Sequence, residues 1–207
     1  MAHNYTAPSR LARAGYRLVY DPLRAGYLRR LVTSFGLTGA EHVLDFGSGA
    51  GSEAVYLASA LDRGGLLTCL DVSPAWLAEA RRRLRHRTNV QFLLGEAPSL
   101  ALRDAEFDLI LAHFVLHDVD RAALPATLAA LARSLKADGR FVVVEPDTES
   151  GTQKSYVSSH HQFSADELRA AMAAAGLVEH AREVVKPPFG LATQTVFGQG
   201  HRWAEPV

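Results

Sequence analysis

The sequence predicts an α/β fold, a doubly wound and mostly parallel sheet of seven strands with helices on both faces. Three observations lead there. Five short apolar runs, residues 42–46, 66–70, 90–94, 107–112 and 140–144, alternate with Ala/Leu/Arg-rich segments of helical period. Strands apolar on both faces belong to parallel sheets covered on both sides. Two later runs, 177–185 and 191–198, instead alternate apolar and polar around Lys186-Pro187-Pro188-Phe189-Gly190, which reads as an antiparallel hairpin added to the sheet edge.

Each remaining element has its own punctuation. Residues 9–36 read as helical, and Tyr16, Tyr20 and Tyr27 fall there, with Tyr5 just ahead. We expect this stretch, within residues 1–40, to form a helical lid before a core at 41–207, the whole chain making one domain. Helices are expected at 52–61, 74–87 and 121–136. Ser73-Pro74 supplies an N-cap and a first-turn proline to the second of these, and Pro125 sits in the first turn of the third. Asp138-Gly139 closes the following turn. Ser164-Ala165-Asp166-Glu167 is a capping box for a last helix running to about Ala175, stopped by Gly176.

Composition narrows the function. The 22 basic residues balance 22 acidic ones, whereas proteins that live on a phosphate backbone carry a basic excess. The run Arg81-Arg82-Arg83-Leu84-Arg85-His86-Arg87 is expected to be a solvated outer face, with Glu79 pairing Arg83 four residues on. The single cysteine, Cys69, fits a reducing compartment, and the first residues lack the apolar stretch of a signal peptide. No run approaches a membrane span. A cytoplasmic protein with a small-molecule partner, and neither nucleic acid nor membrane, is the expectation.

The chemistry lies in Val43-Leu44-Asp45-Phe46-Gly47-Ser48-Gly49-Ala50-Gly51-Ser52, a strand running through a glycine-rich turn into a helix. The spacing is Gly-x-Gly-x-Gly, and a dinucleotide fingerprint would place its third glycine at Ser52. No Gly-Lys-Ser/Thr follows, which excludes a phosphate-loop ATPase. Asp45 ends the strand two residues before the first glycine. A carboxylate roughly 5–6 Å from a phosphate, at an effective dielectric near 20, opposes it by about 3 kcal/mol. The same carboxylate attracts an ammonium or sulfonium. Asp71 ends the next strand, where an acid accepts ribose hydroxyls, and Gly95-Glu96-Ala97 ends the third, where a polar edge suits an adenine. A nucleoside joined to a cationic amino acid is S-adenosylmethionine.

Asp45-Phe46-Gly47-Ser48-Gly49-Ala50-Gly51 resembles the first motif of class I S-adenosylmethionine-dependent methyltransferases, of the small-molecule type 11/25 group. Leu70-Asp71-Val72-Ser73 resembles their second motif, and Gly95-Glu96-Ala97 is similar to the usual Gly-Asp-Ala. Phe107-Asp108-Leu109-Ile110 with Leu116-His117-Asp118-Val119 resembles the fourth-strand segment, and Leu135-Lys136-Ala137-Asp138-Gly139-Arg140 the turn before strand five. The resemblance covers roughly residues 40–200. It implies a Rossmann-like sheet of order 3-2-1-4-5-7-6 whose last strand is antiparallel. It also implies S-adenosylmethionine as cofactor. Asp45, Gly47, Ser48 and Gly49 would surround the methionine portion and Asp71 would hold the ribose. Val72 would pack on the adenine, with Glu96 and Ala97 at its edge, and His113 would lie near the sulfonium.

Methyl transfer from a sulfonium is a direct displacement, so holding nucleophile and methyl in line supplies much of the acceleration. A base is needed where the acceptor must lose a proton, which favours oxygen over nitrogen, sulfur or carbon if one is present. His117 is the candidate base. Tyr20, Glu145 and His160 are candidates for the acceptor pocket, with His161, Tyr156 and Asp147 nearby in sequence. No spacing among His117, Asp118, Asp147, His160 and His161 matches a metal motif, so no metal is expected. The rivals are a cofactor-binding module without turnover, an NAD-type oxidoreductase, which the glycine spacing and Asp45 disfavour, and a nucleic-acid methyltransferase, which the neutral charge disfavours.

Overall fold

The structure, a computed structural model, describes residues 8–9, 15–146, 164–188 and 192–199. A π-helical turn, Tyr16–Tyr20, leads into α1 (Asp21–Ser34). Then follow β1 (His42–Phe46), α2 (Ser52–Ala60), β2 (Leu66–Asp71), α3 (Pro74–Arg83) and β3 (Val90–Leu94). After a short 3-10 turn, Ala97–Ser99, come β4 (Phe107–His113), a second 3-10 turn at Leu116–Asp118, α4 (Leu124–Ser134), β5 (Leu135–Pro146), α5 (Ala165–Ala174), β6 (Val178–Val185) and β7 (Ala192–Gly198). The strands form one sheet in the order β3-β2-β1-β4-β5-β7-β6 with helices on both sides, as the resemblance implied. The chain divides into two compact halves, Met1–Glu96 and Ala97–Val207.

In the N-terminal half, β1, β2 and β3 pair in parallel, with His42 beside Leu66 and Leu67 beside Val90. Val43, Leu44, Leu67 and Leu70 of the strands and Ala54, Leu57 and Ala58 of α2 are essentially inaccessible, the two-sided burial that their unbroken apolar runs require. Burying each such leucine contributes roughly 1.5–3 kcal/mol. α1 turns Tyr27, Leu28, Leu31 and Val32 inward.

Helix starts follow the local chemistry. The Ser73 hydroxyl accepts the Trp76 N–H at 3.3 Å with Pro74 behind it, and α4 carries its proline in the first turn. Gly51 precedes α2 with φ +77°, and an added Cβ would sit 3.0 Å from Ala80 Cβ and 3.2 Å from Ala80 Cα. Gly51→Ala therefore combines left-handed strain with a clash between α2 and α3. It is expected to destabilise the fold by about 2–4 kcal/mol in urea unfolding. A loss below about 1 kcal/mol would show that the two helices part easily.

In the C-terminal half, β4 and β5 run parallel, and β7 is antiparallel to both β5 and β6. Phe107, Leu109, Ile110, Leu111, Phe141, Phe197, Leu128 and Leu131 are all buried and form its core. The capping box forms as expected. Ser164 N donates to Glu167 Oε2 at 2.8 Å, and Glu167 N donates to Ser164 Oγ at 3.2 Å.

Three expectations need correction. α3 stops at Arg83 rather than 87, because Leu84 takes a non-helical conformation and Arg87 N bonds its carbonyl in a turn back toward β3. β5 begins at Leu135 rather than 140: Phe107 pairs Leu135, then Leu109 pairs Arg140, and residues 136–139 bulge between. In the arginine run Arg81, Arg82, Arg85, His86 and Arg87 are exposed as expected, but the Glu79–Arg83 pair does not form. Arg83 pairs Asp21 of α1 instead of Glu79, which is buried and holds Arg82. Arg81 stacks on Phe92, its guanidinium carbon 4.6 Å from the ring centroid.

Candidate functional site

The glycine turn after β1 is shaped by its backbone. Gly47 N and Ser48 N both donate to the Leu70 carbonyl, at 2.8 and 3.0 Å, and Gly51 N donates to the Ser48 carbonyl. Gly47 and Gly49 have φ of +73° and +51°, a region glycine enters without penalty. Among the described residues, an added Cβ on Gly49 would meet only the Gly47 carbonyl, at 3.9 Å, so they leave the turn open to close approach there.

Asp71 closes this corner. Its Oδ2 accepts the Gly49 N–H and its Oδ1 accepts the Ser73 N–H, each at 2.7 Å. Burial raises its carboxyl above the ordinary range, while the N–H groups of Ser73, Gly49 and Val72 pull it back down. A carboxylate offers about four lone-pair positions, so acceptor capacity for hydroxyls remains.

Asp45 is 1 % exposed, and among the described residues no donor reaches its Oδ2. Burial, followed by the charges of Glu53 and Asp71, holds its carboxyl well above the usual carboxylate range. Ser48 is buried as well, and among the described residues its Oγ likewise has no hydrogen-bond partner. Val72, just past Asp71, and Leu94, at the end of β3, are large apolar side chains about half exposed, 48 % and 53 %. Glu96 is exposed at the end of this half. The corner thus offers a buried, underpartnered carboxyl, a second carboxyl with capacity for hydroxyls, an open glycine turn and exposed apolar side chains. Those features suit a ligand with a cationic end, a ribose and a flat base.

The first turn of α2 holds residues that the motif reading missed. Glu53 is buried and accepts from Arg24 of α1 at 3.0 Å, and Ser52 Oγ donates to Asp21 Oδ1 at 2.6 Å. Asp21 also pairs with Arg83. Tyr20, read as an acceptor-pocket candidate, has the Arg24 guanidinium over its ring at 5.5 Å.

In the C-terminal half Ala97 is buried at the start of its 3-10 turn. His113 ends β4, buried and edge-on to Phe114 with ring centroids 4.7 Å apart. Phe114 itself has φ +54°, rare for an aromatic residue and of the kind that clusters at functional sites. The turn that follows delivers His117. Its Nδ1 lies 2.5 Å from Glu145 Oε2, and its Nε2 lies 3.7 Å from Asp118 Oδ1. Glu145 is fixed in turn, since its Oε1 accepts from Val115 N at 3.0 Å and Leu116 N at 2.7 Å. With Nδ1 donating to the carboxylate, Nε2 is the basic nitrogen of the neutral ring.

Burial opposes the imidazolium of His117, yet the hydrogen bond to Glu145 and the charges of Glu145 and Asp118 outweigh it and raise its pKa. The folded state therefore binds this proton more tightly than the unfolded one. The resulting stability is complete below about pH 6.5 and lost as pH rises through the folded value. Urea unfolding of wild type and His117→Gln between acid and alkaline pH is expected to show their difference shrinking as pH rises. A constant difference would rule out this linkage.

His160, His161, Tyr156 and Asp147 lie outside the described residues. Among the described residues, no three His, Cys, Asp or Glu side chains are grouped to hold a metal ion. No described helix is long and apolar enough to cross a membrane.

Comparison with known proteins gives the same chemistry a family. Residues 43–139 match the family described as "Methyltransferase domain". That segment, carrying the glycine turn and both strand-end acids, belongs to the class I S-adenosylmethionine-dependent methyltransferases. The chain is 35 % identical over 129 residues to a demethylmenaquinone methyltransferase of Tropheryma whipplei, covering 62 % of this chain and 52 % of that one. It is 30 % identical over 159 residues to the ubiquinone/menaquinone biosynthesis C-methyltransferase UbiE of Azotobacter vinelandii, covering 73 % and 62 % respectively. The matched stretch thus spans between about half and under two thirds of these relatives' lengths. The crystal structure of a SAM-dependent methyltransferase from Aquifex aeolicus superposes with a TM-score of 0.74 at 21 % identity, over 89 % of this chain and 97 % of that one. At that identity the likeness shows the fold.

Proposed function

We propose that this protein transfers a methyl group from S-adenosylmethionine to a small quinone-type acceptor. The observation that carries the cofactor is Asp45, a buried carboxyl beneath an open glycine turn, with no described donor at Oδ2. Once ionised, it favours the amino-acid ammonium of the cofactor and opposes a pyrophosphate. Asp71 would hold the ribose hydroxyls, Val72 the adenine face, and Glu96, Ala97 and His113 the remaining contacts that the motif resemblance implies. The cofactor, when bound, supplies an electrophilic methyl group on a sulfonium.

The acceptor class rests on the two quinone-pathway relatives. In this reading His117 is the general base. Glu145 orients the ring through Nδ1, leaving Nε2 to take a hydroxyl proton from the acceptor. A deprotonated ring hydroxyl is nucleophilic at oxygen and, by resonance, at the adjacent ring carbon, so the same base serves O- or C-methylation. Tyr20 and His160 are proposed to line the acceptor side.

The test is calorimetric titration with S-adenosylmethionine, S-adenosylhomocysteine and NAD, followed by a labelled-methyl assay on hydroxylated naphthoquinols. Binding of the first two without NAD, and label in the quinol, supports the proposal. NAD binding alone overturns it, and cofactor binding without transfer to any quinol removes the acceptor assignment. Product NMR separates the O-methyl from the C-methyl outcome.

A further inference from the structure

Three carboxyl groups, Asp45, Glu53 and Asp71, meet at the glycine turn, and they are partnered unequally. Glu53 faces the Arg24 guanidinium at 3.0 Å. Asp71 receives two backbone N–H groups at 2.7 Å. Asp45, the most buried of the three, has no described donor at Oδ2. The groups bearing on it within this half are Glu53 from α2 and Asp71 and Cys69 from β2, while Arg24 of α1 bonds Glu53. None of those three neighbours is a cation. A carboxylate in that place is taken out of water with two like charges beside it, which disfavours its ionised form.

We infer that Asp45 holds a proton until a cation reaches it, so that binding of the cofactor's ammonium releases that proton to solvent, and that Arg24 confines the proton to Asp45 by keeping Glu53 ionised. The inference rests on the cofactor assignment above and adds to it a linkage and two residues, Arg24 and Glu53. In the exchange the Asp45 O–H bond breaks, its proton passes to the buffer, and the carboxylate pairs with the ammonium. The direction follows: a proton released on binding means affinity falls as pH drops. The raised carboxyl of Asp45 agrees with this direction.

The experiment titrates S-adenosylhomocysteine, which carries the ammonium on an unreactive thioether, into the full chain near pH 7. Phosphate, HEPES and Tris are compared because their ionisation enthalpies differ. The binding enthalpy is expected to change linearly with buffer ionisation enthalpy, with a slope of about one proton released. Asp45→Asn is expected to abolish that slope and weaken binding on the order of thirtyfold. Glu53→Gln removes one like charge and is expected to move the fall in affinity to lower pH. Should Asp45→Asn fail to fold, the wild-type buffer series stands alone, joined by loss of a protonated-carboxyl infrared band on binding. Clear binding with buffer-independent enthalpy overturns the linkage and leaves the cofactor in place. So does a proton release that survives in Asp45→Asn. No binding of S-adenosylhomocysteine or S-adenosylmethionine overturns the cofactor reading and the linkage together.

Discussion

Asp71→Ala is expected to weaken S-adenosylhomocysteine binding by about 3 kcal/mol, roughly a hundredfold, measured by calorimetry. The side chain has two tasks in the proposed site. It would accept the ribose hydroxyls, and it anchors the glycine turn through the Gly49 N–H at 2.7 Å. Asp71→Asn separates them: its amide oxygen can still accept one backbone N–H, so the turn keeps part of its anchor while the charge is lost. Affinity intermediate between wild type and Asp71→Ala is the expected result. Unchanged affinity in both variants would mean that Asp71 only shapes the turn.

Glu145→Ala is expected to destabilise the fold by about 3–5 kcal/mol in urea unfolding. The carboxylate satisfies two backbone N–H groups and the His117 ring at once, and its removal leaves all three without their partner. Glu145→Gln keeps an acceptor for the turn but not the charge. It is expected to recover much of the stability, and the His117 titration followed by NMR should move to lower pH, because the charge that offsets burial is gone. If His117 titrates alike in wild type and Glu145→Gln, Glu145 only braces the turn at Val115 and Leu116.

Much of this architecture was legible in the chain. β1 and β3 have the bounds that their apolar runs suggested, and the caps at Ser73 and Ser164 are where their residue types placed them. The early start of β5 was not legible, because Leu135 joins the sheet through a backbone pairing with Phe107 that no side-chain pattern announces. The end of α3 was misread for a related reason. Leu84 continues the buried stripe, but the chain must already turn there to reach β3. Arg24, Glu53 and Asp21 escaped notice because their partners lie 29 to 62 residues away. A hint was present only for Glu53, an acid in the first turn after the glycines.

The sequence alone therefore determined the kinds of elements, their order, and the Asp45-to-Gly51 turn with Asp71 one strand on. Those features depend on periodicity and on backbone conformations set by neighbouring residues, which are short-range physics. Tertiary structure decided which charges meet and which are left without a partner. Glu145 sits 28 residues from His117 and becomes its partner only when β5 lies beside β4. Asp45 is an ordinary acid in the chain, and burial beside Glu53 and Asp71 is what makes its charge costly. Ionisation depends on the dielectric and on the distances that folding creates, so the site's chemistry was named by the sequence and tuned by the fold.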